Sequence, residues 1–107
     1  MERFVPVLSR VAFRTEKMQK VNLVDTASLF CDVYCFESGQ AQAAHRHAVG
    51  DKLYYVVAGT GRIRVGGEER TVRPRDLVCA PAGEEHAVVN PGPERLVLLV
   101  MMAPKPS

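Results

Sequence analysis

Polar and apolar positions alternate over short stretches of this chain, and the pattern is broken every few residues by glycine or proline. Pro6, Gly39, Gly50, Gly59, Gly61, Gly66, Gly67, Pro74, Pro81, Gly83 and the run Pro91, Gly92, Pro93 separate segments rich in Val, Leu, Tyr and Phe. Glycine frees φ and proline fixes it while removing a donor, so both end regular elements. The β-branched and aromatic residues between them suit a pleated surface. The segments predict strands over 28–38, 41–48, 52–59, 76–83, 86–90 and 95–103, and a hairpin over 61–72. In that hairpin Ile63 and Val65 alternate with Arg62 and Arg64, and Gly66–Gly67 suits a tight turn. A turn or two of helix is expected near 14–20, with Thr15 as its N-cap. The region before Gly39 carries less pattern. It is expected to cover a sheet edge or to pair with another subunit. The rhythm as a whole predicts an all-β sandwich or barrel.

Composition narrows the picture. A length of 107 residues suits a single domain over 1–107. A net charge of +2, from 14 basic and 12 acidic residues, gives no electrostatic footprint for nucleic acid. The longest apolar stretch, 96–103, is strand-sized and far short of a membrane span. The opening residues lack the apolar run of a secretory signal, so no membrane partner is expected. Cys31, Cys35 and Cys79 are odd in number. Cys31 and Cys35 lie about 13 Å apart along an extended strand, too far for a disulfide. Free thiols acting as small apolar side chains, in a reduced cytoplasmic setting, are the expectation.

The chemistry rests on three histidines, His45, His47 and His86. In a strand, His45 and His47 present both rings on one face, and His86 follows a turn that can bring it across a barrel. The pair alone is a weak signal, which two exposed or hydrogen-bonded imidazoles explain better than a metal site.

The wider spacing is more specific. Gly39, His45, His47 and Gly59 resemble the first motif of the cupin superfamily, over about 39–59. Pro81, Gly83, His86 and Asn90 match the spacing of its second motif, over about 75–90, with Arg75 where the family's leading glycine stands. The chain resembles small single-domain bacterial cupins. That resemblance implies a double-stranded β-helix, or jelly-roll barrel. In metal-binding members two histidines and a glutamate of the first motif join the histidine of the second around one divalent metal. His45, His47 and His86 match. The glutamate's place falls on Lys52, beside Asp51, a "DK" pair that small bacterial cupins of unassigned function also carry ahead of a Tyr-Tyr strand.

An ammonium in the glutamate's place changes the balance of charge. Like charges about 4 Å apart repel by about 4 kcal/mol at an effective dielectric of about 20. Three outcomes are open. Lys52 turns away to pair with Asp51 or Glu84, leaving the metal on three histidines and water. Or Asp51 takes the glutamate's role through a bulge. Or the metal is weak or absent, and Lys52 donates hydrogen bonds in the pocket or binds an anionic ligand.

Strand parity puts Tyr54 on the face of Lys52 and Tyr55 on the other, so one of them lines the cavity. Gln42 is expected opposite His45 and His47, in a structural role. Asn90 shares His86's face and is expected to pack, with hydrogen bonding at the barrel mouth as the alternative. Met101 and Met102 are expected to fill core, and Cys79 to approach the site without a thiol–histidine catalytic arrangement. Arg62, Arg64, Arg70, Arg73 and Arg75 are expected on a solvated face.

Two functions follow. One is a metalloenzyme of dioxygenase, isomerase or lyase type acting on a small organic molecule. Its metal, whether zinc, nickel, iron, manganese or copper, would sit on His45, His47 and His86, with Lys52 and Tyr54 in substrate contact or proton transfer. The other is a small-molecule binding or sensing module without turnover. Homodimerisation is expected through the N-terminal strand and the apolar face of 95–102.

Overall fold

Alternation holds in the strands that the sequence marks out. In β4 (Asp51–Ala58), Lys52, Tyr54 and Val56 are buried, while Leu53, Tyr55 and Val57 are only partly so. The computed structural model describes residues 1–106. Its other strands are β1 (Gln19–Asp25), β2 (Phe30–Phe36), β3 (Ala41–His45), β5 (Gly61–Val65), β6 (Glu68–Val72), β7 (Leu77–Ala80), β8 (His86–Val89) and β9 (Leu96–Ala103). All pairings are antiparallel. They form a five-stranded sheet in the order β1-β2-β9-β4-β7 and a four-stranded sheet in the order β3-β8-β5-β6. The fold is the expected all-β jelly roll, a double-stranded β-helix.

The inward faces of both sheets make the main core, with Tyr34, Phe36, Tyr54 and Val56 against Ile63, Val72 and Val88, and Leu96, Leu98 and Val100 between. β9 lies at the centre of its sheet. Its other face, Val97 and Leu99, packs with Leu23, Val33 and Cys35 under Val5, Val7, Val11 and Phe13. A strand covered on both faces reads as a continuous apolar run rather than an alternation. The apolar face expected to seek a second subunit is thus covered by the chain's own N-terminal segment.

The helix expected near 14–20 is absent. Residues 15–17 bend, and β1 begins at Gln19. A helix this short satisfies few of its own backbone groups, whereas β1 gains a ladder along the edge of β2. The helical turn that does form is 3-10, at Val7–Arg10, just after Pro6.

Two motif positions carry backbone demands. Gly59 has φ of 82°, and a Cβ there would collide with the carbonyl of Arg95. Arg75, standing where the family has glycine, also adopts a positive φ, 78°. An L-residue there costs about 1–2 kcal/mol. The turn is fixed around it: Arg75 N–H donates to Val56 O at 2.9 Å, and Arg73 N–H to the Asp76 carboxylate at 2.8 Å.

Asn90 is fully buried. Its Nδ2 donates to the carbonyls of Phe36 (3.1 Å) and Glu94 (2.8 Å), and its Oδ1 accepts from Gly92 N–H at 2.9 Å. It does more than pack: it ties the end of β8 to the end of β2 and to the turn before β9. Asn90→Ala is expected to lower stability by about 3 kcal/mol, since it orphans several buried backbone groups at once. Urea denaturation checks this, and a loss below about 1 kcal/mol would contradict the tethering role.

Candidate metal centre

β3 and β8 bring the histidines together through an irregularity. Gln42 pairs with Val88 and His45 with His86, so β3 advances three residues where β8 advances two. The extra residue is a β-bulge, and it reverses strand parity. Gln42 therefore faces inward, 7% exposed, on the same side as His45. This corrects the expectation that it lies opposite the histidines.

His86 opens β8 and is 2% exposed. The turn before it is braced from the first motif. Gly83 N–H donates to His47 O at 2.7 Å, and Ala82 N–H donates to the Asp51 carboxylate at 2.9 Å. Asp51 thus holds the loop that positions His86. It is exposed, and β4 keeps regular register with β9 from Asp51 to Val56, so no local bulge turns its carboxylate inward.

One ring nitrogen from each of His45, His47 and His86 lies within 4.8 Å of the others. His45 Nδ1 lies 3.0 Å from Ala43 O, and His86 Nδ1 lies 3.0 Å from Glu84 O. The two Nε2 atoms face each other at 3.0 Å. Burial pushes the His86 imidazole down to about 4, and nearby His45, Lys52 and His47 push the same way against the pull of the Glu84 carbonyl. His45 and His47 are also lowered, mainly by burial. Burial thus disfavours a charge on all three rings.

Lys52 does not turn outward to Asp51 or Glu84. It is 2% exposed, with its Nζ 5.2 Å from the Tyr34 ring centre and 5.4 Å from that of Tyr54. Among the described residues it has no carboxylate within 4.0 Å. Burial, then the charge of Lys20, pulls it down to about 8, with Asp32 opposing. Tyr54, of the two tyrosines, faces inward as parity allows. Its hydroxyl donates to Gln42 Oε1 at 3.2 Å, and burial pushes its phenol well above the usual range. Burial pushes Tyr34 up to about 12, against a smaller pull from Gln42.

Several neighbours escape a motif-centred reading. Asp32 and Tyr34 share one face of β2, and Lys20 projects from β1 over the Tyr34 ring at 5.3 Å. Burial raises the Asp32 carboxyl, while Asn22, Lys20 and Lys52 draw it down. Parity along 28–38 would have paired Asp32 with Tyr34. Lys20 lay hidden in the stretch read as helix.

Met102 is buried beside Lys52 in register, while Met101 is partly exposed. Cys79 is exposed and alternates away from the interior that holds Ala80, so it does not approach the histidines. All three cysteines are free. Arg64 pairs with Glu85 and Arg70 with Glu68, on solvated faces. No helix among the described residues is long and apolar enough to cross a membrane.

Comparison with known proteins agrees with this architecture. The chain is 37% identical over 62 residues to the 5-nitrosalicylic acid 1,2-dioxygenase of Bradyrhizobium sp, covering 58% of this chain and 30% of that protein. It is 33% identical over 70 residues to the pectin degradation protein KdgF of Dickeya dadantii, covering 65% of this chain and 63% of that one. The chain thus spans less than two thirds of either relative. The crystal structure of TT1209 from Thermus thermophilus superposes with a TM-score of 0.95 at 34% identity, covering 98% of this chain and all of that one. The model of the cupin domain family matches residues 32–102. That match takes in both histidine motifs and the strands that carry them, and the chain belongs to the cupin domain family.

Proposed function

We propose that this protein holds one divalent transition metal on His45, His47 and His86 and acts on a small organic molecule bound beside it. The facing Nε2 atoms carry the reading. A backbone carbonyl only accepts, so the Nδ1 atoms of His45 and His86 bear the ring protons. Each Nε2 then presents a bare lone pair, and the two are 3.0 Å apart. Two acceptors facing at that distance repel, and a cation between them removes the repulsion. In a tetrahedral site with metal–nitrogen bonds of about 2.1 Å, donors sit about 3.4 Å apart. The spread of the three donor atoms, up to 4.8 Å, closes to that with small ring movements. Carbonyls that fix the tautomer of ligating imidazoles are the usual support of such a set.

A metal there supplies Lewis acidity and, if it is redox-active, access to oxygen chemistry. The chain supplies the rest. Lys52, pulled down to about 8, trades a proton readily near neutral pH. Tyr54, pushed up, stays a phenol and donates. The likeness to a dioxygenase supports oxygen chemistry on a small molecule. We extend the proposal to a single domain in a reduced cytoplasmic setting. The proposed homodimer now rests on exposed Phe4 and Leu8 rather than on β9.

Protein expressed with zinc, nickel, iron or manganese supplementation is expected to contain about one metal per chain by elemental analysis, three donors being a sufficient set. Oxygen uptake with hydroxy-aromatic acids or diketones is expected with the iron-loaded form and lost on chelation. No metal after any supplementation would overturn the centre. The ammonium at position 52 favours a second reading, a binding module without turnover, which predicts ligand-induced thermal stabilisation with no product.

A further inference from the structure

The interior between β1, β2, β3 and β4 holds two donors that the folded chain leaves unmatched. One is Lys52, 2% exposed, with no carboxylate within 4.0 Å among the described residues. The other is Gln42, 7% exposed, whose Nε2 is buried with no hydrogen-bond partner among the described residues, although the amide still draws the Tyr34 phenol down. Both adjoin one tyrosine pair. Tyr34 and Tyr54 meet edge-to-face with ring centres 6.4 Å apart, and Lys52 Nζ lies over both rings. Gln42 Oε1 accepts from the Tyr54 hydroxyl, which directs the amide nitrogen elsewhere in the same space. A buried ammonium and a buried amide donor are each costly to leave unmet, and two at one place point to a ligand that meets both.

We infer that this space is a subsite for the carboxylate of a small organic acid, with Lys52 Nζ and Gln42 Nε2 each taking one carboxylate oxygen. This deepens the proposed function by naming the substrate class, and rests on it only in setting the acid beside the three histidines. The charged groups acting on Lys52 are Lys20, a second cation, and Asp32, the one carboxylate, which suits an anionic ligand. Asp32 does not fill the role, because its carboxylate accepts from Asn22 Nδ2 at 2.8 Å on the β1 side. Among the described residues no arginine is found in contact with Lys52, Gln42 or the tyrosine pair to hold a phosphate in a fork. A cleft of about 460 Å³ lies between β1 and β3, lined by Lys17, Met18, Gln19, Lys20, Ala41 and Gln42; Gln42 belongs to it, whereas Lys52 and the two tyrosines do not line it. It reaches Gln42 through a lysine-bearing mouth that draws anions in.

Benzoate and its neutral isostere benzamide test this, titrated calorimetrically at pH 7 into wild-type protein, Lys52→Met and Gln42→Leu, each with and without chelator. Benzoate is expected to bind wild type in both conditions, and benzamide at least about tenfold more weakly, since charge-assisted bonds are roughly twice as strong as neutral ones. Lys52→Met is expected to weaken benzoate by about tenfold or more, and Gln42→Leu by about fivefold. Thermal melts of both unliganded variants show that they fold: Lys52→Met is expected at or above wild type, and Gln42→Leu somewhat below it because it orphans the Tyr54 hydroxyl. Equal binding of benzoate and benzamide, no binding to wild type, or wild-type affinity in Lys52→Met overturns the subsite. Benzoate binding that needs the metal and ignores Lys52 sinks the subsite while the metal centre stands. Lys52-dependent binding in a chain that never takes up metal upholds the subsite and sinks the centre.

Discussion

His86→Ala is expected to abolish the proposed stoichiometric metal binding while the barrel still folds. His86 is the most enclosed of the three donors, fixed by Glu84 O through Nδ1 and aimed at His45 through Nε2. Losing a group that merely orients a ligand weakens metal binding by about 10–100-fold. Losing one donor of three is expected to weaken it further, by about a thousandfold, since a two-histidine set no longer encloses the ion. The fold survives because the main core of Tyr54, Val88, Leu98 and their neighbours does not depend on the imidazole. The stability loss is expected to stay near 1–3 kcal/mol, the range for emptying a buried polar site. Zinc titration of the variant checks the affinity, and denaturation checks the fold. Cys79→Ala, whose side chain points away, is the control that changes neither. Metal retained by His86→Ala at wild-type affinity would remove that residue from the site.

Lys52→Met is expected to stabilise the metal-free protein by about 3 kcal/mol at pH 7. Burial pulls Lys52 from 10.5 to about 8, a gap of about 2.5 pH units. At about 1.4 kcal/mol per unit, that is on the order of 3 kcal/mol of penalty for holding the ammonium inside. Below pH 8 both folded and unfolded chains carry the proton, and the penalty stands in full. Between pH 8 and 10.5 the unfolded chain keeps a proton that the folded chain has lost, so wild-type stability rises with pH. Above 10.5 neither carries it. The advantage of methionine, which matches lysine in length and fills the same space, therefore shrinks across that window and is nearly gone at its top. Urea denaturation of both proteins at pH 7, 9 and 10, with chelator present, reads this directly. A destabilised variant, or a difference that ignores pH, would mean that Lys52 does not sit charged between Tyr34 and Tyr54. The destabilising ammonium is where a carboxylate ligand would meet its charge, so stability and binding are expected to move in opposite directions.

Much of the fold was legible because alternation and punctuation are local. Ile63 and Val65 against Arg62 and Arg64 mark one face of a hairpin, and Gly66 marks its turn. Motif spacing located the histidines and matched Arg75 to a position whose φ proved positive. The features that escaped depend on pairing partners. The bulge between Gln42 and His45 is set by β8, not by any residue within β3, so parity carried Gln42 to the wrong face. Lys52 could not be turned inward or outward from sequence, because Leu53, Tyr55 and Val57 make the opposite face of β4 as apolar as its own. β1 was hidden although Lys20 and Asn22 alternate with Val21 and Leu23: the alternation lasts only four residues before the register shift between Asn22 and Val24, which the partner β2 sets. Asp51 looked like a displaced ligand because only the folded chain brings Ala82 to its carboxylate.

The central claim is that three imidazoles grip one ion despite a buried ammonium nearby. An anomalous difference map from crystals grown with zinc, collected at the zinc absorption edge, tests it most directly. One peak per chain is predicted, about 2.1 Å from a ring nitrogen of each of His45, His47 and His86. A map without that peak, or a zinc ion touching two of the rings and leaving the third turned away, would contradict it.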